Sequence, residues 1–145
     1  MQNRLQIPKF QIPKSINIVI NQLYELEQKL KKHGDPNNLQ RNVTKMKDAF
    51  AEEGLPLGDG SGQLHICLSY EDPMGQPFKE TRTDLDATIS GSGTDNLVVV
   101  EVIKPIIRSD LRVSVGDLSE KDKAQFMQVI QKGIVVVESQ KENKL

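Results

Sequence analysis

The spacing of apolar residues changes once along this 145-residue chain, and that change limits what the chain can fold into. Up to Gly54 the apolar residues recur every three or four positions. Beyond the Gly-rich residues 58–62 they alternate with polar ones. The first spacing fits one face of an α-helix and the second fits one face of a β-strand. Helices therefore precede strands, without the strand–helix alternation that builds a parallel sheet. The expected class is α+β: a helical hairpin over residues 15–57, then a small, mostly antiparallel β-domain over residues 62–139. Residues 1–14 are expected to form an extended arm, because the prolines of QIPKFQIPK disfavour helix there. Residues 140–145 read as a charged tail.

The first helix is expected to begin with Ser15 as its N-cap. Its apolar face is Ile16, Val19, Ile20, Leu23, Leu26 and Leu30. Lys29, Lys31, Lys32 and His33 sit where the helix dipole favours cations, and Gly34 supplies the stop. Asp35 and Pro36 read as the cap and first residue of a second helix, which carries Leu39, Val43, Met46 and Phe50 as far as Gly54. Ile16, Val19, Leu23, Leu26 and Leu30 keep near-heptad spacing for two heptads. That face is expected to pair with a second copy of the chain, in competition with packing on the second helix.

In the β part, Leu64, Ile66, Leu68 and Tyr70 alternate inward, as do Leu85, Ala87 and Ile89 opposite Asp84, Asp86 and Thr88. LVVVEVIKPIIR is strongly β-branched, and its Pro105 forces a bulge, a break or an edge position. SVGDLSEKDKAQ reads as a polar connection with one helical turn. The final strand comes from MQVIQKGIVVVES, bent at Gly133.

Chemistry-bearing patterns are sparse. A net charge of −1 excludes the basic excess that sequence-independent nucleic-acid binding needs. No apolar run reaches the ~18 residues of a membrane span, so the expected location is cytoplasmic. His65 and Cys67 share a strand face, but no third group is signalled to orient a Cys–His nucleophile. Asp84 and Asp86 are about 7 Å apart by strand geometry, too far for one ion without another ligand. GDGSG and SGSG lack the Lys-Ser/Thr helix start of a phosphate loop. No catalytic residue, cofactor or metal is expected, and the chain is not expected to be an enzyme.

Four features then stand in a recognisable order. They are the Gly75-Gln76-Pro77-Phe78 turn, the strand TDLDAT, the Gly/Asp-rich turn leading into VVVEVIKPIIR, and IQKGIVVVES. In this order they resemble the β-domain of GrpE-type nucleotide exchange factors, over roughly residues 40–139. The pattern departs from that family at Lys79-Glu80, where Asp-Pro is usual, and at Leu85-Asp86, where His-Glu is usual. It also departs in its short helical part. The resemblance implies a homodimer that binds a DnaK-type ATPase through protein–protein contacts and shifts it toward nucleotide release. It implies a contact surface of Phe78, Lys79, Glu80, Arg82, Asp84 and Asp86, with Phe78, the one aromatic of the segment, expected as a buried anchor of the turn in preference to a contact. The alternative, read from the residues, is a non-enzymatic accessory subunit of another complex. Such a subunit would use the QIPKFQIPK arm and the β-edge near Pro105.

Overall fold

A computed structural model describes residues 12–57, 64–113 and 127–140. The expectations for the QIPKFQIPK arm up to residue 11, the GDGSG loop, the connection SVGDLSEKDKAQ and the tail 141–145 lie outside the described residues. Within them the fold is α+β. Helix α1 (Lys14–His33) and helix α2 (Gln40–Asp48) come first, and a π-helical turn over Ala49–Glu53 extends α2. Strands β1 (Leu55–Leu57), β2 (Leu64–Glu71), β3 (Leu85–Ser90), β4 (Leu97–Lys104), β5 (Ile106–Val113), β6 (Gln128–Gln131) and β7 (Gly133–Ser139) follow.

Both helix starts differ from the sequence expectation. Helix α1 begins one residue before Ser15: the extended Pro13 ends the preceding segment, and its carbonyl accepts the amide of Ile16 at 2.9 Å, with no side-chain cap. The second helix starts at Gln40, four residues beyond Pro36. Asp35 still does the capping, its carboxylate accepting the amides of Leu39 at 2.6 Å and Gln40 at 2.9 Å across the turn. The helical hairpin also ends before residue 57, because Leu55–Leu57 form β1. Gly54 makes this turn at φ +65, and a Cβ there would lie 2.1 Å from the carbonyl oxygen of Ile66. Pro56 has no amide to donate, and it sits in this short edge strand opposite His65.

The strands form two sheets. The first has the order β1-β2-β5-β6 and is antiparallel throughout; the second has the order β3-β7-β4. In the second sheet β7 runs antiparallel to β4 but parallel to β3. A parallel pair needs a crossover, usually a helix. Here the chain between β3 and β7 makes it through β4 and through β5 and β6 of the other sheet.

The two long β-branched runs each serve both sheets. LVVVEVIKPIIR divides at the buried Pro105 into β4 of the second sheet and β5 of the first. The carbonyl of Pro105 is satisfied by Gln131 Nε2 at 2.9 Å, so the break leaves it paired. MQVIQKGIVVVES divides the same way, into β6 of the first sheet and β7 of the second, with Lys132 between them.

Each sheet has its own core. Ile20 from α1 packs with Ile66, Leu68, Ile107 and Leu111 on the first sheet. Leu85, Val99, Ile106, Val135 and Val137 form the second cluster, with Phe78 packed against it. The inward set of β3 is shorter than its alternation suggests. Leu85 is buried and Ala87 half-buried, but Ile89 is 44% exposed where the strand runs past its cover.

Gly54 and Gly133 are both closely approached by other parts of the fold, and they predict different costs. A Cβ at Gly133 would stand 2.8 Å from Leu85 Cδ2 and 3.0 Å from Ile106 Cγ1, both of which are side-chain tips that can shift. At Gly54 the obstacle is backbone and φ is positive. Urea unfolding should show Gly54→Ala losing roughly 2 kcal/mol or more, and Gly133→Ala about 1 kcal/mol. Equal midpoints for the two variants contradict this assignment.

Candidate functional site

The segment 72–84 joins β2 to β3, and its sequence is turn chemistry. Asp72 accepts the amide of Met74 at 3.0 Å, Gly75 takes φ +79, and the amide of Gln76 returns to the carbonyl of Pro73 at 3.0 Å. The chain then lies along the outer edge of β4. Gly75 donates to Val99 O at 2.9 Å, Val99 to Gln76 O at 2.9 Å, and Phe78 to Leu97 O at 2.8 Å. The segment thereby covers part of an edge strand that would otherwise present open hydrogen-bonding groups.

A ring of side chains fixes the base of this loop. Arg82 grips Asp84 through Nε at 2.9 Å and Nη2 at 3.1 Å, and Arg108 Nη2 of β5 adds a third bond at 2.8 Å. Arg108 also donates to Glu71 at 3.2 Å. Glu71 accepts Gln76 Nε2 at 3.4 Å, and Gln76 Oε1 accepts Arg82 Nη1 at 3.0 Å, which closes the ring. The hydrogen bonds from Arg82 hold the carboxyl of Asp84 below its ordinary value; burial opposes this, and Arg108 reinforces it. The same contact with Asp84 raises the pKa of Arg82.

This corrects the expectation of one solvated, charged strand face. Strand β3 begins at Leu85, so Asp84 precedes the pleat and turns toward the arginines, while Asp86 is exposed near Lys132 at 3.8 Å. Arg82 and Asp84 are half-buried and satisfied by each other. Lys79 and Glu80 are exposed at the tip, and Phe78 turns inward onto the second core. Of the six residues of the expected contact surface, only Lys79, Glu80 and Asp86 therefore present their charges to solvent.

A second polar cluster was not anticipated. Glu27 of α1 is buried, and its carboxylate accepts Gln40 Nε2 at 2.9 Å, Lys47 Nζ at 3.1 Å and the Tyr70 hydroxyl at 2.9 Å. Burial pushes the Glu27 carboxyl up, but these donors outweigh it and the net shift is down. Tyr24 meets Tyr70 edge-on, with ring centroids 5.7 Å apart, and Lys47 Nζ lies 4.7 Å from the Tyr70 ring. Burial, then the charge and hydrogen bond of Asp72, push the Tyr24 hydroxyl up to about 12; burial and Glu27 raise that of Tyr70. Beside this cluster is a cleft of about 100 Å³ lined by Ile20, Leu23, Phe50, Ala51 and Leu68. The π-helical turn supplies Phe50 and Ala51.

The buried stripe of α1 is Ile20, Leu23, Tyr24 and Glu27, rotated from the expected dimer face. Of that face, Leu23 is buried, and Ile16 packs against the first core. Leu30 is half-buried, while Val19 and Leu26 are exposed. Cys67 is buried, its thiol donating to the carbonyl of Glu52 at 3.8 Å. Burial raises its pKa despite Arg112, which keeps it a thiol rather than a nucleophilic thiolate.

Comparison with protein-family models, curated proteins and solved structures gave no match to this chain. Its class therefore rests on the fold itself, an α+β chain with helices on the first of two sheets.

Two measurements test these clusters. Asp84→Ala leaves two arginines facing each other without their acceptor and should cost about 2 kcal/mol; a loss within error of zero removes the ring as a structural element. The folded chain holds Glu27 and Asp84 ionised to lower pH than the unfolded chain does. Their contribution is therefore full above the ordinary Glu value of 4.5 and is lost as pH falls through the lowered values. Urea midpoints should drop below that pH, and less steeply in Glu27→Gln; identical slopes for the two proteins contradict the assignment.

Proposed function

We propose that this chain is a protein-binding module that acts without covalent chemistry, through the tip of its 72–84 loop. One observation carries this reading. The loop is braced at its base by the Glu71–Arg108–Asp84–Arg82–Gln76 ring and along its side by β4, while Lys79 and Glu80 project into solvent. A braced polar tip loses little conformational freedom on binding, which suits specific contact with another protein. The charged groups of both internal clusters are already engaged with one another, which favours a structural role for them over proton transfer.

The sharper form of the proposal is a GrpE-like exchange factor for a DnaK-type ATPase. It rests on the resemblance of residues 75–78 and of the strands that follow. Lys79, Glu80 and Asp86 then supply charges of both signs for orientation and on-rate.

The test is release of a labelled nucleotide from the DnaK-type ATPases of the source organism, with and without the protein. The wild type should accelerate release, and Lys79→Glu with Asp86→Lys should reduce that acceleration about tenfold while leaving the urea midpoint within roughly 0.5 kcal/mol of wild type. No acceleration by the wild type on any of them rejects the exchange reading. Full activity of the double variant moves the contact off this tip.

A further inference from the structure

The second sheet ends on β3, and among the described residues this strand pairs with β7 alone. Gly133 fixes the phase of that pairing, since its amide donates to Asp84 O at 2.9 Å. The backbone groups of successive strand residues turn to opposite edges, so Asp86, Thr88 and Ser90 turn theirs to β7 as Asp84 does. Leu85, Ala87 and Ile89 turn their amides and carbonyls to the outer edge. The side chain of Ile89, 44% exposed, lies there on the same face as the buried Leu85.

The other sheet edges are blunted. Strand β1 has three residues, one of them Pro56, and β6 has four, with a shift in its register. Residues 75–78 lie along β4, which also has two register shifts. Strand β3 has six residues in unbroken register, with no proline and no lysine among them. Asp86 is its one charge, with Lys132 of the same chain at 3.8 Å, and Glu138 stands opposite Ser90 on β7. An unprotected edge of this kind is a template for a further strand.

We infer that β3 pairs antiparallel with β3 of a second copy of this chain, so that the second sheet continues through a two-fold axis at Ala87. An axis normal to the sheet sets one residue of β3 opposite itself and keeps both inner faces on one side. With Ala87 at the centre, Ala87 meets Ala87, and Leu85 meets Ile89 in both directions. These are the residues that face outward, so each of the three pairs exchanges two backbone hydrogen bonds. Thr88 then stands opposite Asp86 of the second copy, a hydroxyl donor for its carboxylate, and Ile89 gains cover beside Leu85. Neither neighbouring register does as well. Centring on Asp86 sets two carboxylates face to face in a close pair, and centring on Thr88 puts Leu85 opposite Gly91, beyond the strand. The pairing uses β3 rather than α1, and it does not depend on what the loop tip binds.

Sedimentation equilibrium of the full chain, from about 10 µM to about 1 mM, tests the pairing. Two six-residue strands make a contact below the usual interface size, so the dimer Kd should be on the order of 100 µM. Thr88→Lys sets a cation opposite each Asp86 and should tighten the dimer about fivefold, while Thr88→Asp should weaken it about fivefold. Ile89→Lys puts a charge on the open edge and should weaken it about tenfold. Both sites are exposed, so the urea midpoints should stay near wild type. Amide hydrogen exchange of the wild type, read residue by residue by NMR, is the second measurement. Between the two concentrations the amides of Ala87 and Ile89 should slow about fourfold, while those of Thr88 and Ser90, already turned to β7, should not change. A monomer at about 1 mM overturns the inference, as does a dimer that Val19→Glu dissociates. So do equal effects of Thr88→Lys and Thr88→Asp, or exchange at Ala87 that does not depend on concentration.

Discussion

Ile106 and Ile107 are neighbours on one strand, and both are fully buried. Adjacent residues of a strand point to opposite faces, so β5 must be covered on both sides where it begins. The rest of the architecture follows from that demand. Ile107 enters the core under α1, while Ile106 enters the core of the second sheet. Pro105 lets the chain leave one sheet for the other just before them, and Gly133 has no side chain where Ile106 and Leu85 close in. The next residue, Arg108, lies on the same side as Ile106 and anchors the ring that braces the 72–84 loop.

The end of β2 repeats this division of labour with polar groups. Tyr70 faces the helices and donates to Glu27; Glu71, on the opposite face, accepts Arg108. Each carboxylate cluster ties together pieces of chain that are distant in sequence: α1, α2 and β2 around Glu27, and β2, β5 and the loop around Asp84. Half-buried ionic networks of this kind add little net stability over an apolar substitute. They do penalise alternative arrangements, because each displaced partner leaves a charge unpaired in a poorly solvated place.

The class and the order of elements were legible because apolar spacing reports local geometry directly. Gly54, Gly34 and the alternation of β2 were read from residues that act on their own neighbours. The sheet changes were legible only as irregularities: Pro105 and Gly133 signal a break but not where the chain goes next, since pairing depends on strands far away in sequence. Asp84 was misread because alternation was extended one residue before β3 begins, and the arginine that takes it, Arg108, is 24 positions downstream. The Glu27 cluster left a trace, a carboxylate at helical spacing from Ile20 and Leu23 within the apolar stripe. That stripe was read about one position out of phase, which brought Val19 and Leu26 to the inside in place of Tyr24 and Glu27. The parallel pairing of β3 with β7 left no local mark at all.

The central place of β7 has a consequence for how the chain is made. Strands β3 and β4 emerge from the ribosome well before β7, yet they flank it and pair only with it within their sheet. Until β7 is available, Leu85, Val99 and Ile106 have no inner wall to pack against, although β2 and β5 can already pair. The nascent chain therefore passes through a stage with one sheet able to assemble and two strands, β3 and β4, waiting. Their closure is a long-range event of the kind that slows folding and leaves strand edges open to wrong partners in the meantime. In a crowded cell, the risk of misassembly falls on the interval before the last strand arrives.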